Sequence, residues 1–300
     1  MNKADKSLIY PLFIPMQGCP GRCIYCDQMK ISGAGDFDLE AAIIQVQAFI
    51  RRNPSRIKEV AFYGGSFTAL DEAKRERILC QILAVCDPNT SIRISTHPLY
   101  IDQAILEHCR KYRVFTIELG IQDWHDEVLK ASGRGYSSKQ ALDACRLIQD
   151  AGFRLGLQLM PGLPGSSPQS ITFNHEMLKQ IKPQFLRLYP LILIRGTELE
   201  RIHRQGEYQP LSLNDAIQIC ADYAELCQQM GIRIIKYGLP SNIDQSEILA
   251  GPYHPAFGEL VKQELLKRDL KKHPQRCVQL SNQELQLLRA HGCKFSMSPI

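Results

Sequence analysis

Three cysteines close to the N-terminus are spaced for iron chemistry, in Gly18-Cys19-Pro20-Gly21-Arg22-Cys23-Ile24-Tyr25-Cys26. The C-x3-C-x2-C spacing lets one short loop aim three thiolates at a single point. Three thiolates cover three irons of a 4Fe–4S cube and leave the fourth without a protein ligand, whereas electron-transfer clusters take four cysteines. A vacant corner implies that something else binds there. A structural zinc site competes with this reading but is closed by four ligands. The nearest further candidates, Cys80, Cys86 and His97, form no second tight pair. Plain core packing is the third reading, and Gly18, Pro20 and Gly21 speak for a loop instead.

Other residues of chemical interest cluster at the ends of apolar runs. Gly64-Gly65-Ser66-Phe67 follows a strand-like run, and paired glycines let backbone approach a ligand where a Cβ would clash. Ser66 and Thr68 either point inward or cap the next helix. In Ser95-Thr96-His97-Pro98 the proline forces His97 out of helical geometry. His97 is read as a proton donor, a substrate contact or a merely hydrogen-bonded histidine. Glu118 sits inside an apolar strand, where an unpaired carboxylate is costly, so it needs an inward Arg, a Lys or a ligand hydroxyl. Arg134, between Gly133 and Gly135, suits a charge-assisted pair with a carboxylate or stands as an exposed loop charge. Met160-Pro161-Gly162-Leu163-Pro164-Gly165 is a rigid turn able to approach a planar ligand, with Gln158 and Met160 on one side of its strand. Arg187, Tyr189, Lys236 and Tyr237 complete the candidates for a substrate pocket.

These residues need a scaffold that brings strand ends together. Short runs at 12–15, 59–63, 91–95, 114–119, 154–159, 185–190 and 232–235 read as buried parallel strands. Helical patterns at 39–52, 71–85, 103–110, 138–151, 170–181 and 214–230 alternate with them, capped by Asp38, Ser138 and Ser212 and closed by Gly152 and Gly231. The alternation predicts an α/β fold: a partial (βα)6 TIM-type barrel of parallel strands over residues 8–240, with room for one more strand. A full eight-unit barrel needs about 250 residues. Residues 241–300 read as a short C-terminal extension packed on the barrel: a loop at 241–246, a helix opening near Pro255, a strand near 277–280 and a helix over 281–291.

Composition narrows the setting. No apolar stretch approaches the roughly 18 residues of a membrane span, and the first residues carry no secretory pattern. Eleven cysteines, most of them scattered singly, suit a reducing cytoplasm better than a disulfide scaffold, and Cys80, Cys86, Cys109, Cys145, Cys220, Cys227, Cys277 and Cys293 read mostly as helix packing. A net charge of +5 permits an anionic partner without demanding one. The basic run from Lys267 to Arg276 reads first as a solvated helix end, since no aromatic residue interleaves with it.

Taken in order, GCPGRCIYC, FYGGSFT, RISTHP, IELGIQDWHDEVL, RGY and LGLQLMPGLPG resemble the radical S-adenosylmethionine (SAM) superfamily. The resemblance is to its Elongator catalytic-subunit-like and oxygen-independent coproporphyrinogen-oxidase-like branch. It implies an enzyme that binds one 4Fe–4S cluster through Cys19, Cys23 and Cys26 and SAM at the open iron. Reductive cleavage would give a 5′-deoxyadenosyl radical that takes hydrogen from an unidentified substrate. By motif position Tyr25 would lie against adenine, Gly64 and Gly65 would hold the SAM amine, and Ser66 would stand beside them. Gln122 and Arg134 would hold other polar groups of SAM, and Ser95 and Gln158 would lie near the ribose. An electron donor of flavodoxin or ferredoxin type is implied as partner, and tRNA is one candidate substrate. Two departures bear on the branch. Gln28 stands where the coproporphyrinogen oxidases carry a further cysteine, and about 60 residues follow the barrel, too few for the acetyltransferase domain of Elongator subunits. The alternatives are an RNA-modifying protein of Elongator type and a non-catalytic iron–sulfur or haem-handling binding protein.

Overall fold

A computed structural model describes residues 7–19, 21, 23–240 and 243–290, the side chains of 277–279 excepted. Its strands are β1 (Leu8–Phe13), β2 (Lys58–Tyr63), β3 (Thr90–Thr96), β4 (Val114–Gln122), β5 (Arg154–Leu159), β6 (Phe185–Leu188), β7 (Leu193–Ile194), β8 (Arg233–Tyr237) and β9 (Ile248–Ala250). The helices are α1 (Gln28–Ser32), α2 (Leu39–Arg52), α3 (Glu72–Ala84), α4 (Gln103–Lys111), α5 (Asp126–Ala131), α6 (Ser138–Asp150), α7 (Pro168–Ile181), α8 (Glu198–Arg204), α9 (Leu213–Met230), α10 (Phe257–Lys272) and α11 (Asn282–Arg289). Seven strands form one parallel sheet in the order β1-β2-β3-β4-β5-β6-β8. This curled half-barrel is the expected partial barrel with its additional strand, and β1 and β8 are its edges among the described residues.

Alternation along each strand sorts the residues. Ile92 and Ile94 of β3, Ile117 and Leu119 of β4, and Leu155 and Leu157 of β5 share a core with Ile78, Leu79, Ala141, Ile148 and Leu178 of the surrounding helices. Burying each such aliphatic side chain contributes about 1.5–3 kcal/mol. The intervening residues, Arg93, Ser95, Gly120, Arg154 and Gln158, line the concave face instead. The seven strands of this sheet run the same way, so their C-terminal ends meet at one rim, as parallel α/β sheets require of a site, while β7 and β9 form a separate antiparallel pair.

Some boundaries differ from expectation. The first strand lies at Leu8–Phe13 and not at 12–15. It tolerates Pro11 because an edge strand needs backbone donors on one side only. The cap of α6 is Ser137, which forms a capping box with Gln140, and not Ser138. The expected strand near 277–280 is a 3-10 helix, Pro274–Gln279, opened by a proline that favours a helical first turn. The final helix is present with Ser281 as its cap, while α10 packs on α9 and β8. Among the isolated cysteines, Cys109, Cys145, Cys220 and Cys227 are buried, Cys86 is partly buried and Cys80 is exposed, while the side chain of Cys277 is outside those described. Residues 291–300, including Cys293, and Ser241 and Asn242 of the expected loop lie outside the described residues.

Candidate active site

The cysteine loop leaves β1 and turns back through left-handed backbone at Met16 and Gly18. It is fastened to the exit of β2 by backbone bonds from Met16 to the Gly64 carbonyl and from Ser66 to the Gln17 carbonyl, both at 2.9 Å. Gly65 is needed here for space: a Cβ would stand 2.4 Å from the Gln17 carbonyl oxygen and 2.7 Å from that of Ile14. Gly64 has φ +87°, which an L side chain rarely adopts. The glycine pair thus shapes the cysteine loop as well as facing the cavity.

The three cysteines, Tyr25, Gly64, Gly65, Ser66, Ser95, Gln122, Arg134 and Gln158 all line one cavity of about 1050 Å³. That volume is at the upper end for a small-molecule site and suits more than one bound group. Cys19 Sγ lies 3.7 Å from Ser66 Oγ, Cys23 Sγ receives Arg134 Nη1 at 3.1 Å, and Cys26 Sγ receives Gln28 Nε2 at 3.5 Å. Burial, with the neighbouring Cys23 adding to it, pushes the Cys26 thiol up to about 12, and burial also raises Cys19. As thiols they are neutral; as cluster ligands they would bind as thiolates and release protons.

The residues fit the cluster and nucleotide that the spacing implies. Two residues that line the cavity carry buried polar atoms without a partner among the described residues, Gln122 Oε1 and the Tyr25 hydroxyl. Gln122 is turned there by a register shift between Gly120 and Gln122 and by its own φ of +68°. Tyr25 also packs among Val128, Leu163, Leu191 and Tyr208, so it both lines the cavity and supports the loop. Among the described residues no group of three or more His, Cys, Asp or Glu is set around a single ion. A cube, by contrast, engages each thiolate at a different iron.

Several candidates have other employment. Arg134 is no exposed loop charge: it is 8% exposed and also donates to the Gly120 carbonyl and to Tyr136 Oη. His97 bonds the Arg134 carbonyl through Nε2 at 3.1 Å and accepts the Leu99 amide at Nδ1. Those two bonds define a neutral tautomer, and burial with the Arg134 charge lowers its pKa to about 4. His97 thereby ties the Arg134 loop to the exit of β3, and it also lines the cavity. Thr68 does not point inward but pairs with Thr96 Oγ1 at 2.6 Å. Tyr237 turns away from the cavity towards Gly258 and the helix core, whereas Arg187, Tyr189 and Lys236 line it.

Glu118 finds its partners among residues the sequence did not single out as a set. It receives Arg93 Nη1 at 2.7 Å, Arg187 Nε at 2.7 Å, Tyr63 Oη at 3.0 Å and Gln158 Nε2 at 3.3 Å. Burial would raise its carboxyl, but the Arg187 and Arg93 guanidiniums outweigh burial and hold it below the ordinary carboxylate range. Arg93 also pairs with Glu59 at 2.5 Å and lies over the Phe185 ring, 4.9 Å from its centroid. Phe185 fills the floor, since a Cβ on Gly156 would stand 2.1 Å from its ring. An arginine alternating with apolar residues in β3 was the available signal for this network.

Half-barrel, cysteine loop and converging strand ends together define a cluster-dependent nucleotide-binding enzyme. The chain belongs to the radical SAM superfamily, which matches residues 13–174, with the radical SAM C-terminal domain matching residues 183–267. That family uses a 4Fe–4S cluster and SAM, and its members are enzymes. A tRNA uridine(34) acetyltransferase of Methanocaldococcus infernus is 29% identical over 71% of this chain and 39% of its own length. The chain thus spans about two-fifths of that relative. The Elp3 structure of the same archaeon, with an N-terminal deletion, superposes with TM-score 0.70 at 21% identity, covering 88% of this chain and 64% of that one. Coproporphyrinogen III oxidase (HemN) from Escherichia coli gives TM-score 0.56 at 19% identity, covering 75% and 52%. Both likenesses are of fold. Among the described residues no helix is long and apolar enough to cross a membrane.

Proposed function

We propose that this chain is a radical SAM enzyme acting on a uridine-containing RNA, with Cys19, Cys23 and Cys26 as cluster ligands. The observation that carries the reading is the single cavity shared by the three cysteines, the unpartnered Gln122 Oε1 and the basic residues of β5, β6 and β8. When bound, the reduced cluster and SAM supply cleavage of a carbon–sulfur bond and, through it, hydrogen abstraction from substrate. The protein's own residues bind, orient and exclude water. Gly64, Gly65 and Ser66 would hold the nucleotide through backbone and hydroxyl groups. Gln122 and Arg134 would add an amide and a guanidinium, and Ser95 and Gln158, joined by a 3.2 Å bond, would offer polar groups to a ribose. Tyr25 closes the pocket with an apolar face. The uridine(34) chemistry named for the M. infernus relative supports an RNA substrate, and a flavodoxin- or ferredoxin-like donor in the cytoplasm would provide the electron.

Anaerobic reconstitution of the wild type should give about four irons per chain and reductant-dependent 5′-deoxyadenosine. Cys23→Ala should lose both. Retention of either by that variant, or a single zinc in anoxically purified protein, would falsify the ligand assignment.

A further inference from the structure

The cavity wall carries six cations, Arg93, Arg134, Arg154, Arg187, Arg233 and Lys236, and among the described residues no carboxylate lines it. Behind the wall, Glu118 is committed to Arg93 and Arg187, and Glu59 to Arg93. Arg154 reaches Glu59 only at 3.8 Å. Among the described residues Lys236 and Arg233 have no ion-pair partner. Positive charge is therefore left over on the β5 and β8 side, away from the cysteine loop. Lys236 is half-buried and stands beside Arg187 in the register of β6 and β8. Burial, with Arg187 adding to it, lowers its pKa, so an unpaired ammonium is held there at a cost that an anion would relieve.

The position is also accessible. Strand β8 is an edge, and β1, whose Ile9 lines the same cavity, is the other edge of the open half-barrel. Arg233 and Lys236 face the same cavity although three residues apart, because a register shift past Ile234 sets Arg233 opposite Phe185 and Lys236 opposite Arg187. A cleft with walls of one sign draws in ligand of the other.

We infer that Lys236, together with Arg233 on the same strand, forms an anion subsite that takes a phosphate or carboxylate group of the substrate entering through the open side of the half-barrel. This rests on the proposal that the cavity holds the substrate, and it adds the substrate's charge and its point of entry. A phosphodiester strand supplies successive anions, so that Lys236 and Arg233 could each meet one.

Calorimetric titration of the reconstituted, SAM-loaded protein with a uridine pentanucleotide, with pyrophosphate and with malonate tests it. Wild type should bind the pentanucleotide with an affinity that falls with salt. Lys236→Gln should weaken binding about tenfold and reduce the salt slope by about one, while Lys236→Arg should stay within about twofold of wild type. Equal iron content and circular dichroism in the three proteins separate this from misfolding. Wild-type binding of pyrophosphate or malonate without the pentanucleotide, lost in Lys236→Gln, keeps the subsite and removes the RNA reading; the tighter of the two identifies the anion. Pentanucleotide binding unchanged in Lys236→Gln, at the same salt slope, overturns the subsite and leaves the RNA reading standing. Failure of all three probes to bind wild type at millimolar concentration overturns both.

Discussion

Arg187 grips Glu118 with two hydrogen bonds, Nε to Oε2 at 2.7 Å and Nη2 to Oε1 at 3.1 Å, across the floor of the cavity. Tyr63 joins both, accepting from Arg187 Nη2 at 2.7 Å and donating to Glu118 at 3.0 Å. With Arg93 of β3 and Gln158 of β5, five strands of the sheet, β2 to β6, are tied at one fully buried carboxylate. The network fixes the shape of the surface on which a substrate would rest.

Glu118→Gln leaves Arg187 without a carboxylate while Arg93 keeps Glu59, and breaking a buried pair in this way costs about 3–5 kcal/mol. Urea unfolding at neutral pH should register that loss. The sign of the pH dependence follows from the lowered carboxyl. Its stabilisation is complete above the unfolded glutamate value of about 4.3 and is lost as pH falls through the lower folded value. The gap between wild type and Glu118→Gln should therefore narrow in acid. A gap that stays constant down to the acid unfolding limit would show that the charge of Glu118 is not what stabilises the floor.

Gly65→Ala places a methyl group against two backbone carbonyl oxygens that cannot move independently. The cysteine loop must shift, and iron per chain after reconstitution should drop severalfold while the helical signal persists. Full iron loading of that variant would show that the loop does not depend on this close approach.

His97 should remain neutral from pH 6 to 8, with its proton on Nε2, because its folded pKa lies near 4. The unfolded value is about 6.5, so the stability contributed by the neutral form is complete above that pH and is lost as pH falls towards 4. Nitrogen-15 shifts of the ring report tautomer and titration directly. A titration midpoint near 6.5 in the folded protein would contradict the buried bond to the Arg134 carbonyl.

Much of the scaffold was legible from periodicity. Buried parallel strands are short apolar runs, and the helices between them carry caps such as Asp38 and Ser212 whose side chains do accept the first-turn amides. Short elements escaped: α1, α5 and α8 span 5–7 residues, too few to establish a 3.6-residue period. The extension misled at 277–280, where Pro274 opens a 3-10 helix and, among the described residues, no strand pairs with the segment.

Cysteine spacing and motif order suffice to determine the family, because those residues are close in sequence and act through a local loop. Strand–helix alternation likewise determines the parallel sheet. Only the tertiary structure decides which inward polar residues meet. Glu118 is 55 residues from Tyr63 and 69 from Arg187, and their contact depends on strand register and sheet curvature. The same holds for the unmatched charge of Lys236 and Arg233. A surplus of cations becomes visible only when side chains from separate strands are brought to one wall and the carboxylates are found committed behind it.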